Sequence, residues 1–174
     1  MTDNKTTEQM AKSPTGTSIR HITENKKQYL ELLLLGDEQE TMIDRYLERG
    51  DMYVMFDRYD RAIAVAVVTD EGEGVCELKN IAVAPDCQRR GYGAEFIKYL
   101  FGIYCHAFST MLVGTGSTVG TLKFYEHCGF TYSHTIKDFF TDNYDHKIIE
   151  DGKELRDMIY LRRILAATPD AAKG

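Results

Sequence analysis

The sequence predicts a mixed α/β fold of about six or seven strands and about four helices. Three observations carry that prediction. Two β-rich runs, MYVMF at 52–56 and RAIAVAVV at 61–68, flank the turn-like DRYD and read as an antiparallel hairpin. A segment predicted as a helix over 91–107 sets Phe96, Leu100 and Tyr104 four residues apart, with Ile97 and Phe101 beside them, as a core-facing stripe requires. Beyond that segment the chain alternates strand, helix, strand, whereas before it hairpins dominate.

The elements follow in order. SIRHIT at 18–23 alternates apolar and polar as a short strand does. Asn25 is a candidate cap for a helix running to Leu35 that carries Tyr29, Leu30, Leu33 and Leu34. Asp37 or Glu38 then opens a second helix to about Glu48, with Met42, Ile43, Tyr46 and Leu47 on one face and Gly50 as its stop. After the hairpin, VCELKNIAV at 75–83 is a strand whose alternation slips. Leu78 is followed by two polar residues, Lys79 and Asn80, before Ile81 and Val83 resume a period of two. One extra residue that resets the register is a β-bulge. Further strands are predicted at 111–115, 130–136 and 155–165, with a helix at 118–127 that Gly129 terminates.

At 174 residues the chain suffices for one domain with a real core, expected over 18–165, with disordered tails at 1–17 and 166–174. The composition, 43% hydrophobic and 28% charged, is that of a soluble protein. No apolar run approaches the ~20 residues of a membrane span, and nothing at the N-terminus reads as a signal or transit peptide. The four cysteines (Cys76, Cys87, Cys105, Cys128) have no CxxC spacing, and reduced thiols in the cytoplasm are the expectation. A net charge of −6 leaves no broad basic face for nucleic acid, so an anionic ligand has to be held locally. His21, His134 and His146 show no ligand spacing, and no metal is expected.

A local anion site is offered by APDCQRRGYGAEF, which joins the slipped strand to the long helix. A P-loop would need a lysine after its last glycine, and a dinucleotide fingerprint would need a third glycine where Phe96 stands. What remains is a basic turn feeding a helix whose first N–H groups lack partners and carry the positive end of the dipole. On these residues alone the stretch reads equally as a phosphate cradle or as a flexible elbow.

The wider context resembles the GNAT superfamily of N-acetyltransferases. Gln88, Gly91 and Gly93 match that family's phosphate-binding signature, and Phe124, Tyr125, Gly129 and Phe130 match its aromatic-Tyr, three residues, Gly-Phe signature. The likeness covers about Ile19 to Leu165, although the two signatures span only about 50 residues. An asparagine often found near the start of the second helix is replaced by Ser117 or Thr118.

The resemblance implies a mostly antiparallel sheet with a bulged, splayed strand pair and helices on both faces. Acetyl-CoA would lie where 75–83 and 111–115 part, with no metal. Backbone groups of Ile81, Ala82 and Val83 would pair with the pantetheine arm, and the run Gln88, Arg89, Arg90, Gly91, Tyr92, Gly93, Ala94 would hold the pyrophosphate. Thr118 and Lys123 on the second-signature helix would add cofactor contacts. Tyr125 would act as general acid, because a phenol of pKa near ~10 stays protonated at neutral pH and can donate to a thiolate. Glu77 is a candidate base acting through water, with a solvated carboxylate as its alternative.

The amine acceptor, a small molecule or a peptide, is expected near Phe139, Phe140 and Asp142. They sit in an acidic segment with seven carboxylates against three basic side chains between 138 and 157. A homodimer is left open. A thiol acyltransferase built on Cys128 beside His127, or Cys105 beside His106, is disfavoured because adjacent helical residues diverge by about 100°. The rival of a different class is a module that binds or senses CoA without catalysis.

Overall fold

The computed structural model describes residues 16–165. The tails expected at 1–17 and 166–174 therefore lie outside the described residues, except at residues 16 and 17. Thr17 is buried, with its hydroxyl donating to Glu95 Oε1 at 3.3 Å.

The chain builds β1 (Ser18–Ile22), a 3-10 turn (Lys26–Tyr29), α1 (Leu30–Gly36), α2 (Glu40–Ile43), β2 (Asp51–Phe56), β3 (Ala62–Gly72) and β4 (Val75–Val83). A second 3-10 turn (Pro85–Cys87) leads to α3 (Tyr92–Tyr104), β5 (Thr110–Thr115), α4 (Val119–His127) and β6 (Thr131–Ile136). A short α5 (Phe139–Asn143), the small hairpin β7 (Ile149–Glu150) and β8 (Lys153–Glu154), and β9 (Met158–Ile164) complete it.

Seven strands form one sheet in the order β1-β2-β3-β4-β5-β9-β6. Every neighbouring pair is antiparallel except β4 and β5. The last strand, β9, enters between β5 and β6, so β5 is paired by β9 along its whole length while β4 meets it only at one end.

Both faces of the sheet are covered, and the central strands accordingly alternate between two cores rather than between core and water. Met52, Val54, Val65 and Val67 face Leu33, Ile43 and Leu47 of the α1–α2 layer. Tyr53, Met55, Ala64 and Ala66 face Phe96, Ile97 and Leu100 of α3, and Phe130 joins that layer. A third, small cluster of Phe140, Ile148 and Leu155 packs where α5 meets the β7–β8 hairpin.

The α1–α2 layer departs from expectation. Asn25 adopts a left-handed conformation (φ 48°) and makes no side-chain cap, and α2 is one short turn opened by Gln39 rather than a helix from Asp37 to Glu48. The turns that follow α2 are held instead by Lys26, a buried lysine whose Nζ donates to the carbonyls of Leu47 (2.9 Å), Glu48 (3.3 Å) and Gly50 (2.7 Å). The ammonium replaces the missing helical partners of these carbonyls. The final strand begins at Met158, not 155, because Leu155 is committed to the small third cluster. Among the described residues no helix is long and apolar enough to cross a membrane.

Lys26→Met strands three carbonyls that the fold satisfies with one cation. It is expected to cost about 3 kcal/mol, seen as a Tm roughly 6–12 °C lower by thermal denaturation.

Candidate active site

The site begins with a parting of strands. Val75 to Leu78 of β4 pair in parallel with Thr110 to Val113 of β5, and there the ladder stops. At that point the register of β4 against β3 shifts: Val67 faces Asn80 and Val68 faces Leu78, so Lys79 is the extra residue. The bulge bends β4 away, while Gly114 and Thr115 of β5 follow β9. The backbone of β4 from Ile81 to Val83 is left without a strand partner on its β5 side.

A cavity of about 1000 Å³ fills this parting. Its walls include Ile81, Ala82 and Val83 of β4, Gln88, Arg89 and Gly91 of the following turn, and Tyr92, Gly93 and Ala94 of α3. Phe124 and Tyr125 of α4 lie opposite.

The turn into α3 is fastened at both sides. Asp86 receives a bidentate pair from Arg61 at 2.6 and 2.7 Å, which holds its carboxyl below the usual range. Gln88 donates its side-chain amide to Val83 O at 3.0 Å. Arg89 and Gly91 are both left-handed (φ 62° and 85°), a double reversal that brings the helix N-terminus onto the cavity. Gly91 suits that conformation, and a Cβ on it would meet nothing within 4 Å. Gly93 answers a different demand: a Cβ there would stand 3.1 Å from Phe124 Cζ, so its absence lets α3 and α4 close around the cleft. The first-turn amides of α3 have no helical carbonyl to bind and carry the dipole's positive end.

Tyr125 is buried, with ring centroids 5.2 Å from Phe124 and 5.7 Å from Phe130. Its hydroxyl makes no hydrogen bond among the described residues. Burial first, then the charges of Cys128 and Glu150, push its pKa far above that of a free phenol. The phenol is therefore a protonated group facing the cavity at any physiological pH.

Glu77 is also buried, yet it lines a second, smaller cavity of about 200 Å³ rather than the first. Its Oε1 accepts from Tyr160 at 3.0 Å, and its Oε2 pairs with Lys79 Nζ at 3.0 Å. Tyr160 reaches it across Gly114, where a Cβ would come within 3.0 Å of the phenol ring and 2.6 Å of Met158 Sδ. Because of the bulge, Glu77 and Asn80 share one face although three residues separate them. Asn80 donates to Leu33 O at 2.9 Å and to Tyr46 Oη at 3.0 Å, which ties α1 and the turn after α2 to the bulge.

Tyr46 in turn donates to Asp37 Oδ2 at 3.2 Å, and Tyr144, just beyond α5, donates to Asp37 Oδ1 at 2.7 Å. Asp37 lines both cavities where they join. Burial raises its pKa, and the hydrogen bonds from the two phenols oppose that rise.

This geometry has known counterparts. The model of the acetyltransferase (GNAT) domain matches residues 48–132. The chain is 33% identical over 140 residues to the uncharacterized N-acetyltransferase YvbK of Bacillus subtilis (strain 168), covering 79% of this chain and 90% of that one. This chain belongs to the GNAT family of acetyltransferases. Two solved structures superpose with a TM-score of 0.80 over 86% of this chain and 99% of theirs: a GNAT acetyltransferase from Elizabethkingia anophelis with acetyl-CoA bound (32% identical) and an IAA acetyltransferase from Bacillus cereus ATCC 14579 (34%). The protein is an acyltransferase with the family's mixed, mostly antiparallel sheet.

Of the residues singled out in the sequence of this GNAT protein, the main cavity gathers Ile81, Ala82, Val83, Gln88, Arg89, Gly91, Tyr92, Gly93, Ala94, Tyr125 and Phe140. Glu77 and Phe139 line the smaller one. Arg90, Lys123 and Asp142 are exposed and line neither cavity. Thr118 is buried, and its hydroxyl donates to Glu150 Oε1 at 2.9 Å, so it clasps the β7–β8 hairpin to the start of α4. Thr121 donates to the same oxygen at 2.6 Å. The carboxylates at the cavity are Asp37, Glu38, Glu150 and Asp151, of which the sequence marked none as a site residue. Asp37 read as a helix opener, and its only sequence signal is its position after the apolar run LLLLG.

Gly93→Ala sets a Cβ 3.1 Å from Phe124 Cζ and is expected to push Phe124 and α4 away from α3 by a few tenths of an ångström, weakening acetyl-CoA binding about tenfold in calorimetry with a cost of about 1–3 kcal/mol in stability. Asp37 supplies a pH test. Its folded-state pKa lies above the ordinary 3.8, so the native state holds this proton more tightly than the unfolded chain does. The stability it contributes is full below that value and is lost as pH rises through the folded pKa. The Asp37→Asn variant should lack this decline, which melting curves of both proteins from acid to neutral pH measure.

Proposed function

We propose that this protein is an acetyl-CoA-dependent N-acetyltransferase that moves the acetyl group directly to a primary amine of a small molecule or peptide. The observation that supports it best is the parting of β4 from β5, which leaves Ile81 to Val83 without a strand partner on their β5 side, beside the free amides at the start of α3. An extended amide-bearing chain ending in a pyrophosphate suits those two features. The first can add it as a strand and the second can hold its anionic end. When bound, acetyl-CoA supplies an acetyl thioester.

The chain's own residues then divide the work. Backbone groups of Ile81, Ala82 and Val83 orient the pantetheine arm, and the amides of Tyr92, Gly93 and Ala94, with Arg89, receive the pyrophosphate. The walls formed by Phe124 and α3 exclude water, which strengthens every polar contact inside. Tyr125 Oη holds the proton destined for the departing sulfur. Its raised pKa keeps that proton in place until negative charge develops beside it. Glu77, lodged in the adjoining smaller cavity between Tyr160 and Lys79, takes the amine's proton through water. The Cys128 alternative is weakened further, because burial raises that thiol's pKa, the wrong direction for a nucleophile.

Tyr125→Phe is expected to lower kcat about 10²–10³-fold, measured as CoA-thiol release with a panel of amines, while leaving acetyl-CoA affinity within about twofold. Unchanged turnover removes Tyr125 from its role. Saturating acetyl-CoA, at about 100 times its Kd, should stabilise the parent by ~2.7 kcal/mol in a thermal shift. A shift with no thiol release from any amine would favour the CoA-binding module over the enzyme.

A further inference from the structure

Asp37 differs from the other buried carboxylate of the site in what neutralises it. Glu77 has a cation, Lys79, at 3.0 Å. Asp37, half-buried and lining both cavities, has no ion-pair partner among the described residues, and its hydrogen bonds come from neutral donors, the phenols of Tyr46 and Tyr144 and the backbone N–H of Gln39. Arg45 acts on it electrostatically, but that guanidinium is directed to Asn143 Oδ1 at 3.1 Å and is exposed. The two oxygens of Asp37 offer about four acceptor sites, and these three neutral donors do not fill them.

A carboxylate taken from water without a counter-charge is costly to keep, and burial shows that cost by raising the pKa of Asp37. Proteins retain such a group where the missing cation arrives from outside. The main cavity also carries both signs of charge. Arg89 and the first turn of α3 line it, and so do the carboxylates of Asp37, Glu38, Glu150 and Asp151, together with the apolar Phe140 and Leu155. Lys79, which also lines this cavity, is committed to Glu77 and Glu71.

We propose that Asp37 is the receptor for the acceptor's ammonium group, and that the acidic wall around it selects amines bearing no carboxylate next to that group. The assignment rests on the reading of the cleft as an amine-acetylating site. The tyrosines pre-orient Asp37 by fixing both oxygens, so little ordering is lost when the ammonium binds. A free amino acid brings its own carboxylate into the same acidic wall and is rejected by like-charge repulsion. A decarboxylated amine or a peptide N-terminus, whose carboxyl is an amide, is not.

The test uses acceptors with matched side chains that differ in charge, with saturating acetyl-CoA: phenethylamine, phenylalaninamide and phenylalanine, then isoamylamine against leucine, with thiol release as the readout. The expected result is kcat/KM at least about tenfold higher for each carboxylate-free acceptor, with phenylalaninamide separating charge from size. In Asp37→Asn the KM for the amine rises at least about tenfold while that for acetyl-CoA stays within about twofold, and the discrimination against phenylalanine shrinks. Asp37→Glu, which keeps the charge, recovers part of both. Preference for the free amino acids, or an unchanged amine KM in Asp37→Asn, overturns the assignment and leaves the acetyltransferase reading standing. A merely structural Asp37 would raise both KM values together. Thermal stabilisation by acetyl-CoA with no thiol release from any acceptor overturns both readings at once.

Discussion

Everything at the site depends on β4 and β5 being allowed to part. Four residues of each strand hold the parallel pair together, and the extra residue Lys79 then turns β4 away while β9 keeps β5 in line. Unpaired strand edges inside a sheet are costly, because each buried N–H and C=O that loses its partner forfeits a hydrogen bond. A fold that keeps such a gap at its centre keeps it for a ligand that can complete the ladder. The gap also sets the direction of α3. A chain leaving the bent end of β4 through Pro85 and Gly91 brings the helix N-terminus onto the cavity that the bend has opened.

The same bulge builds the opposite wall. By putting Glu77 and Asn80 on one face it sends Asn80 into the α1–α2 layer, where its amide holds Leu33 O and Tyr46 Oη. Tyr46 passes the order on to Asp37, and Asp37 to Tyr144. The fit is close enough that a Cβ on Gly36 would stand 2.2 Å from Asn80 Oδ1, so α1 can rest on the bulge only through a glycine. One irregular residue in one strand thus positions the N-terminus of α3 through the chain that follows it, and Asp37 through a hydrogen-bonded relay.

Legibility in the sequence followed the range of the interactions involved. The slip in VCELKNIAV was visible because a break in a period of two is a local pattern, and β4 runs over the residues expected, 75–83. The turn before α3 and Tyr125, both of which line the main cavity, were singled out through two short signatures whose geometry is set mainly by nearby residues. Asp142 was singled out by the charge of its segment, which gives no direction, and Lys123 by the resemblance, and both side chains stand exposed. Thr118 lies where the signature helix begins, yet its hydroxyl is taken by Glu150, 32 residues on. The helix α5 and the strands β7 and β8 went unseen because elements of five and two residues have no period to read and are held by the small Phe140–Ile148–Leu155 cluster.

By itself the sequence determined the mixed α/β class, the bulged strand and the position of the glycine-bearing turn before α3, each an outcome of spacing and residue type within a short stretch. The tertiary structure alone decided which carboxylates line the cavities. Asp37 meets Tyr144 across 107 positions of chain, and Glu77 meets Tyr160 across 83. Contacts of that separation are set by how β9 threads the sheet and how α1 settles on the bulge. That threading and packing are properties of the whole fold, and no local pattern of residues encodes them.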